Sequence, residues 1–137
     1  MTKLKLGFVG LGIMGAPMAG HLRAAGHELF VNTRSEVPKS LQGAGAVACK
    51  TPADVAKQAE VIFTMVPDTP DVQKVLFGEG GIASALSKGK AVVDMSSISP
   101  IETQDFAKRI EATGADWLDA PVSGGEVGAK AASLTIM

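Results

Sequence analysis

Apolar residues fall in short runs along this chain, separated by turn-forming residues and by segments of helical spacing, and the alternation recurs to its end. The first run, Leu4, Leu6, Phe8 and Val9, is long enough for a buried strand and too short for a helix. Met14, Met18 and Leu22 then recur at every fourth position, which predicts a helix from about Ile13 with one apolar face. Gly26 is placed for its left-handed C-cap. A second strand is predicted over 27–32, a short helix over 35–42 broken by Gly43-Ala44-Gly45, and a short strand over 46–49. Thr51 as N-cap, Pro52 at the first position and Asp54 in the first turn open a helix ending near Ala59. The β-branched run over 61–66 reads as a buried strand closed by Pro67, with a loop over 67–70. Helices over 70–76 and 82–86, a strand over 90–95, a helix over 100–113, a strand over 117–120 and a final strand over 133–137 complete the pattern. Ser99 and Glu102 read as a capping box for the longest of these helices, with Phe106 and Ile110 on its common face. Strands alternating with helices at this spacing predict an α/β fold, doubly wound around a mainly parallel sheet.

The first strand–helix junction carries the most chemistry. Gly10, Gly12 and Gly15 form G-x-G-x-x-G, with Leu11, Ile13 and Met14 between them. In a Rossmann-type dinucleotide fold the first glycine makes the tight turn and the second lets backbone approach a pyrophosphate. The third lets the helix pack on the strand. The helix start then offers free N–H groups and a positive dipole end to an anion. A merely structural strand–turn–helix is the alternative. A secretory leader is the other: Lys3 and Lys5 precede the apolar run, but its glycines, the lack of a compact cleavage site and the continuous patterning argue against it.

The other candidates follow from position. The second strand ends in Asn32-Thr33-Arg34-Ser35, without the acid that receives the ribose hydroxyls in NAD sites. Arg34 suits a 2′-phosphate, helped by the hydroxyls of Thr33 and Ser35, so NADP is expected, with NAD as the alternative. Otherwise Arg34 is a solvated loop residue and Ser35 a helix cap. Ligands in such sheets sit at the carboxyl ends of the strands. That puts Val66, Pro67 and the loop to Asp71 on the cofactor side, unless this is an ordinary connection. With Ser99 taken as a cap, Ser96 and Ser97 are left free for ligand. Ser123, Gly124 and Gly125 follow a strand as consecutive small residues able to form an anion-binding nest. His21 and His27 have no evident partner and read as surface or packing residues. Cys49 reads as a small core residue.

Composition narrows the classes. The 137 residues are 46% hydrophobic and 20% charged with a net charge of −1, as expected of one globular domain with no basic footprint for nucleic acid or an anionic membrane. No apolar segment reaches transmembrane length. Aromatics are only 4%, too few for stacking platforms. The lone cysteine cannot form an internal disulfide, no metal cluster is evident, and a cytoplasmic setting is expected.

Four motifs together make the chain similar to the β-hydroxyacid dehydrogenases. They are FVGLGIMGAPMAGHL (8–22), Met65-Val66-Pro67, Asp94-Met95-Ser96-Ser97, and Asp119-Ala120-Pro121-Val122-Ser123-Gly124-Gly125. The resemblance implies that residues 7–20 hold the cofactor pyrophosphate. It also implies that Val66, Pro67 and Ser97 meet the nicotinamide half, and that Ser123, Gly124 and Gly125 bind a substrate carboxylate. The implied reaction is reversible hydride transfer between NAD(P)H and a short β-oxo acid. Val66 to Pro70 and Met95 to Thr103 are most similar to the branch reducing tartronate semialdehyde to glycerate, with the 3-hydroxyisobutyrate branch as the alternative. The family has an acid or amide at the position of Thr33. Its catalytic lysine lies in a motif beyond residue 137, followed by a helical domain, and Lys130 is in no such motif. The resemblance therefore implies that residues 1–137 are the NAD(P)-binding domain, without a catalytic residue, inert alone and part of a homo-oligomer when complete. A 6-phosphogluconate dehydrogenase domain, a nucleotide-sensing module and a methyltransferase are the rival readings.

Overall fold

The computed structural model describes residues 2–137. Strands β1 (Lys5–Val9), β2 (Glu28–Asn32), β3 (Val47–Ala48), β4 (Val61–Thr64), β5 (Ala91–Asp94) and β6 (Asp116–Asp119) form one sheet, ordered β3-β2-β1-β4-β5-β6. Every neighbouring pair in it is parallel. The helices are α1 (Gly15–Ala24), α2 (Lys39–Gly43), α3 (Pro52–Gln58), α4 (Thr69–Phe77), α5 (Pro100–Glu111) and α6 (Gly125–Ala131). The chain builds outward from β1 to β3, then crosses back to lay β4 on the other side of β1. The order therefore reverses between β1 and β4, the crevice where open α/β sheets take their ligands.

The two sheet faces bury two separate cores, because successive strand residues point to opposite sides. Val9, Ile62 and Val92 meet Val55 of α3, Val72 and Leu76 of α4, and Phe106 and Ile110 of α5. Leu6, Phe8, Leu29 and Val31 meet Met18 and Ala19 of α1, Leu41 of α2 and Ala129 of α6. Gly7 is needed inside β1, since a Cβ there would stand 2.5 Å from Val55 Cγ1. Lys90 fastens the end of α3 by donating from Nζ to the carbonyls of Ala56 and Ala59, both at 2.7 Å.

Several ends differ from expectation. The first helix begins at Gly15, with Met14 in the N-cap position. The second begins after Pro38 rather than at Ser35, since a residue preceding proline is held out of the helical region. Ser35 therefore caps nothing. Thr51 caps α3 as expected, accepting from the Asp54 N–H at 3.1 Å. The supposed loop over 67–70 contains a capping box instead: Asp68 caps α4, and its own N–H donates to Asp71 Oδ2 at 3.2 Å. No such box forms at α5. The Ser99 hydroxyl makes no cap bond, and its N–H donates to Thr69 Oγ1, thirty residues away, at 3.2 Å. Residues 82–85 form a 3₁₀ turn. The final strand lies outside the main sheet: β8 (Thr135–Ile136) pairs antiparallel with β7 (Val122–Ser123) in a separate ribbon.

Candidate functional site

A cavity of about 690 Å³ opens at the carboxyl ends of β1, β2 and β4, within the range of ligand pockets. Gly10, Leu11, Gly12, Ile13, Met14, Gly15, Asn32, Thr33, Arg34, Ser35, Val66, Pro67, Asp71 and Ser97 all line it. Residues 7–9 and 16–20 divide differently: only Val9 reaches the cavity, Gly7 packs on α3, and the later residues run along α1. Met65, Lys74 and Val75 also line it and were missed. Lys74 was findable, standing one helical turn after Asp71 on the cavity side of α4.

The three glycines differ in what surrounds them. Gly10 has φ +101°, and a Cβ on it would collide with the Met65 carbonyl oxygen. A Cβ on Gly15 would collide with the Gly10 carbonyl oxygen and stand 3.2 Å from Phe8 Cε1, so the first turn of α1 rides directly on the β1 turn. A Cβ on Gly12 would meet nothing within 4 Å. Gly10 and Gly15 are thus required by the fold, whereas Gly12 borders open space in the cavity. The cap of α1 is Met14, whose side chain makes no cap hydrogen bond, and no acidic residue occupies the first turn. A helix start of this kind leaves donors and a positive dipole end for an anion.

Arg34 Nη1 lies 3.5 Å from Asp71 Oδ1, with 71% of the arginine side chain exposed. An ion pair so exposed contributes at most about 1 kcal/mol, so the guanidinium can exchange its partner. Asn32 is fixed by donation from Nδ2 to the Cys49 carbonyl at 3.0 Å. Ser96 is not free for ligand. It is 3% exposed, and its hydroxyl accepts from the Val66 N–H at 3.0 Å. Both histidines also have partners: His21 Nε2 donates to the Ala129 carbonyl at 2.7 Å, and His27 Nδ1 accepts from the Leu4 N–H at 3.0 Å. Burial, with Asp54 adding to it, pushes the Cys49 thiol above its ordinary pKa, against a nucleophilic role. Burial also raises the Asp94 carboxyl, and Asp119 adds to the rise; hydrogen bonds from Ser96 and Thr64 pull it back.

Ser123, Gly124 and Gly125 are not part of the cavity lining. They form the turn from β7 into α6, with φ of +134° at Gly124 and +59° at Gly125, and Leu134 packs over Gly124.

The reversal in strand order, the glycine turn on β1 and the cavity beyond it define a dinucleotide-binding domain of Rossmann type. Comparison with known proteins agrees. Residues 5–137 match the family described as the NAD binding domain of 6-phosphogluconate dehydrogenase, and the chain belongs to that family. It is 56% identical over 134 residues to 2-hydroxy-3-oxopropionate reductase of Escherichia coli (strain K12), covering 98% of this chain and 46% of that protein. Mycobacterium tuberculosis 3-hydroxyisobutyrate dehydrogenase, solved with L-serine, superposes with a TM-score of 0.87 at 32% identity, covering 99% of this chain and 46% of that one. Psf3 in complex with NADP+ and 2-OPP gives 0.89 at 32% identity, covering 96% and 47%. The resemblance to hydroxyacid dehydrogenases thus runs along nearly the whole chain, which spans about half the length of these relatives. Among the described residues no helix is long and apolar enough to cross a membrane.

Proposed function

We propose that this chain binds a nicotinamide dinucleotide, NADP in preference to NAD, as the cofactor domain of an oxidoreductase acting on short β-hydroxyacids. The open space beside Gly12, under the uncapped start of α1, carries the reading. Backbone N–H groups there can receive a pyrophosphate with no side chain in the way. Arg34 and Lys74 would flank the adenosine end, Arg34 leaving Asp71 for the 2′-phosphate; Val66, Pro67 and Ser97 would form the wall against the nicotinamide half. When bound, the cofactor supplies or accepts hydride. The E. coli relative supports tartronate semialdehyde, reduced to glycerate, as the substrate, with 3-hydroxyisobutyrate as the second choice. Ser123, Gly124 and Gly125 would hold the substrate carboxylate. We assign no proton donor for the carbonyl within residues 1–137 and place it in the part of the relatives that this chain does not span.

Titration of wild type and Arg34→Ala with NADPH and NADH tests the cofactor reading. Loss of a charge-assisted contact to phosphate should weaken NADPH by about 10- to 100-fold and leave NADH nearly unchanged. Equal affinities unaffected by the substitution would make NAD the cofactor. Failure of both nucleotides to bind would overturn the reading.

A further inference from the structure

Among the described residues three buried side-chain polar atoms lack a partner, and one of them, Asp94 Oδ2, belongs to the carboxyl end of a strand in the main sheet, next to the cavity loops. Asp94 is fully buried and stands opposite Thr64, equally buried, in the β4–β5 register. Its other oxygen, Oδ1, accepts from the Thr64 hydroxyl at 2.8 Å and from the Ser96 N–H at 3.2 Å. The Ser96 hydroxyl in turn accepts from the Val66 N–H. A buried carboxylate without a cation is costly. What Asp94 does accomplish is to tie the ends of two adjacent strands to the two loops that follow them. Val66 lines the cavity directly, and Ser97 lines it next to Ser96 in sequence.

We infer that Thr64, Asp94 and Ser96 form a positioning relay that fixes the Val66 and Ser97 wall of the cavity, and so the placement of the nicotinamide half of the cofactor. The inference rests on the cofactor reading above. The relay touches no ligand. It acts by holding a backbone amide and the following loop in one geometry, and none of its hydrogen bonds goes to the glycine turn or to Arg34.

That division gives a selective test. Wild type, Ser96→Ala, Thr64→Val and Asp94→Asn are titrated with NADPH and with its adenosine half, 2′,5′-ADP, and their melting temperatures are recorded. NADH and ADP replace this pair where NADH binds better. Ser96→Ala should weaken the whole dinucleotide by about three- to tenfold, the scale of one hydrogen bond, and leave the adenosine half unchanged. Thr64→Val, nearly isosteric, should act in the same direction and serves if Ser96→Ala does not fold. Asp94→Asn keeps an acceptor oxygen toward Thr64 and Ser96, puts its amide nitrogen at the unpartnered position, and should retain wild-type affinity. Equal weakening of both ligands would show a merely structural role and overturn the relay. So would unchanged affinity in Ser96→Ala and Thr64→Val, or a loss in Asp94→Asn as large as theirs. If wild type binds neither the dinucleotide nor its half, the cofactor reading falls and takes the relay with it; any other failure removes the relay alone.

Discussion

Gly12 and Gly15 belong to one motif, yet adding one methyl group at each should have opposite consequences. At Gly12 the methyl meets nothing within 4 Å, and the backbone lies outside the left-handed region. Folding therefore loses no contact. The unfolded chain of Gly12→Ala is stiffer, so stability should stay the same or rise by about 0.4–1 kcal/mol. At Gly15 the methyl overlaps the Gly10 carbonyl oxygen, which belongs to rigid backbone that cannot swing aside. Overpacking of this kind costs about 1–3 kcal/mol, roughly 3–10 °C in melting temperature for a chain this size. Binding separates the two again. On the proposed reading the Gly12 methyl stands where the pyrophosphate must approach. Losing one charge-assisted hydrogen bond, at about 1.5–3 kcal/mol, weakens NADPH by about 10- to 100-fold. Thermal melting with and without NADPH reads both quantities. Gly12→Ala should melt with wild type and lose the NADPH-induced shift, whereas Gly15→Ala should melt early even without ligand. A Gly12→Ala chain that binds NADPH like wild type would refute the placement of the pyrophosphate. One that melts as early as Gly15→Ala would refute the claim that the space beside Gly12 is free.

Two further outcomes follow from single side chains. Lys90→Met keeps the length of the side chain but strips the Ala56 and Ala59 carbonyls of their shared donor; it should cost about 1–3 kcal/mol in urea unfolding, and a loss below a few tenths would show that water replaces the ammonium without penalty. Asp94 has a raised pKa and holds its proton more readily folded than unfolded. Its contribution should therefore be greatest in acid and fall as pH rises from its ordinary 3.8 through the raised folded value. Asp94→Asn should thus gain stability relative to wild type as pH rises through that window, and parallel stability–pH profiles for the two would contradict it.

Much of this architecture was legible because its signals are local. The β1 run, the glycine turn and the first helix lie within one short stretch, and Thr51-Pro52-Ala53-Asp54 announces α3 by side chains bonding within a single turn. What was misread depends on partners distant in sequence. Ser99 and Glu102 have the spacing of a capping box, but Thr69 of another helix takes the Ser99 N–H. Ser96 looked free because its partner, the Val66 amide, lies thirty residues earlier. The last strand was recognisable as extended, but nothing local told it to pair with β7 outside the parallel sheet. Even the missed Asp68 cap has a reason: Asp68-Thr69-Pro70 reads as a turn, yet Pro at the start of a helix supplies no N–H that the helix would need.

The ends of the helices also bear on where a ligand belongs. Thr51 and Asp68 accept from first-turn N–H groups of α3 and α4, whereas α1, α2, α5 and α6 begin without a side-chain cap bond. Replacing such a cap by a residue that cannot accept costs about 0.5–2 kcal/mol. What sets α1 apart is the turn before it, which lines the cavity and holds Gly12, where a Cβ would meet nothing within 4 Å. A polar side chain at position 14 would have little to cap, since the Ala16 N–H already goes to the Gly12 carbonyl at 3.0 Å and Pro17 has no N–H. On the proposed reading the missing Cβ at Gly12 leaves the turn before α1 open to the cofactor. Binding there should stabilise the chain, because a ligand held only by the folded form shifts the folding equilibrium toward it.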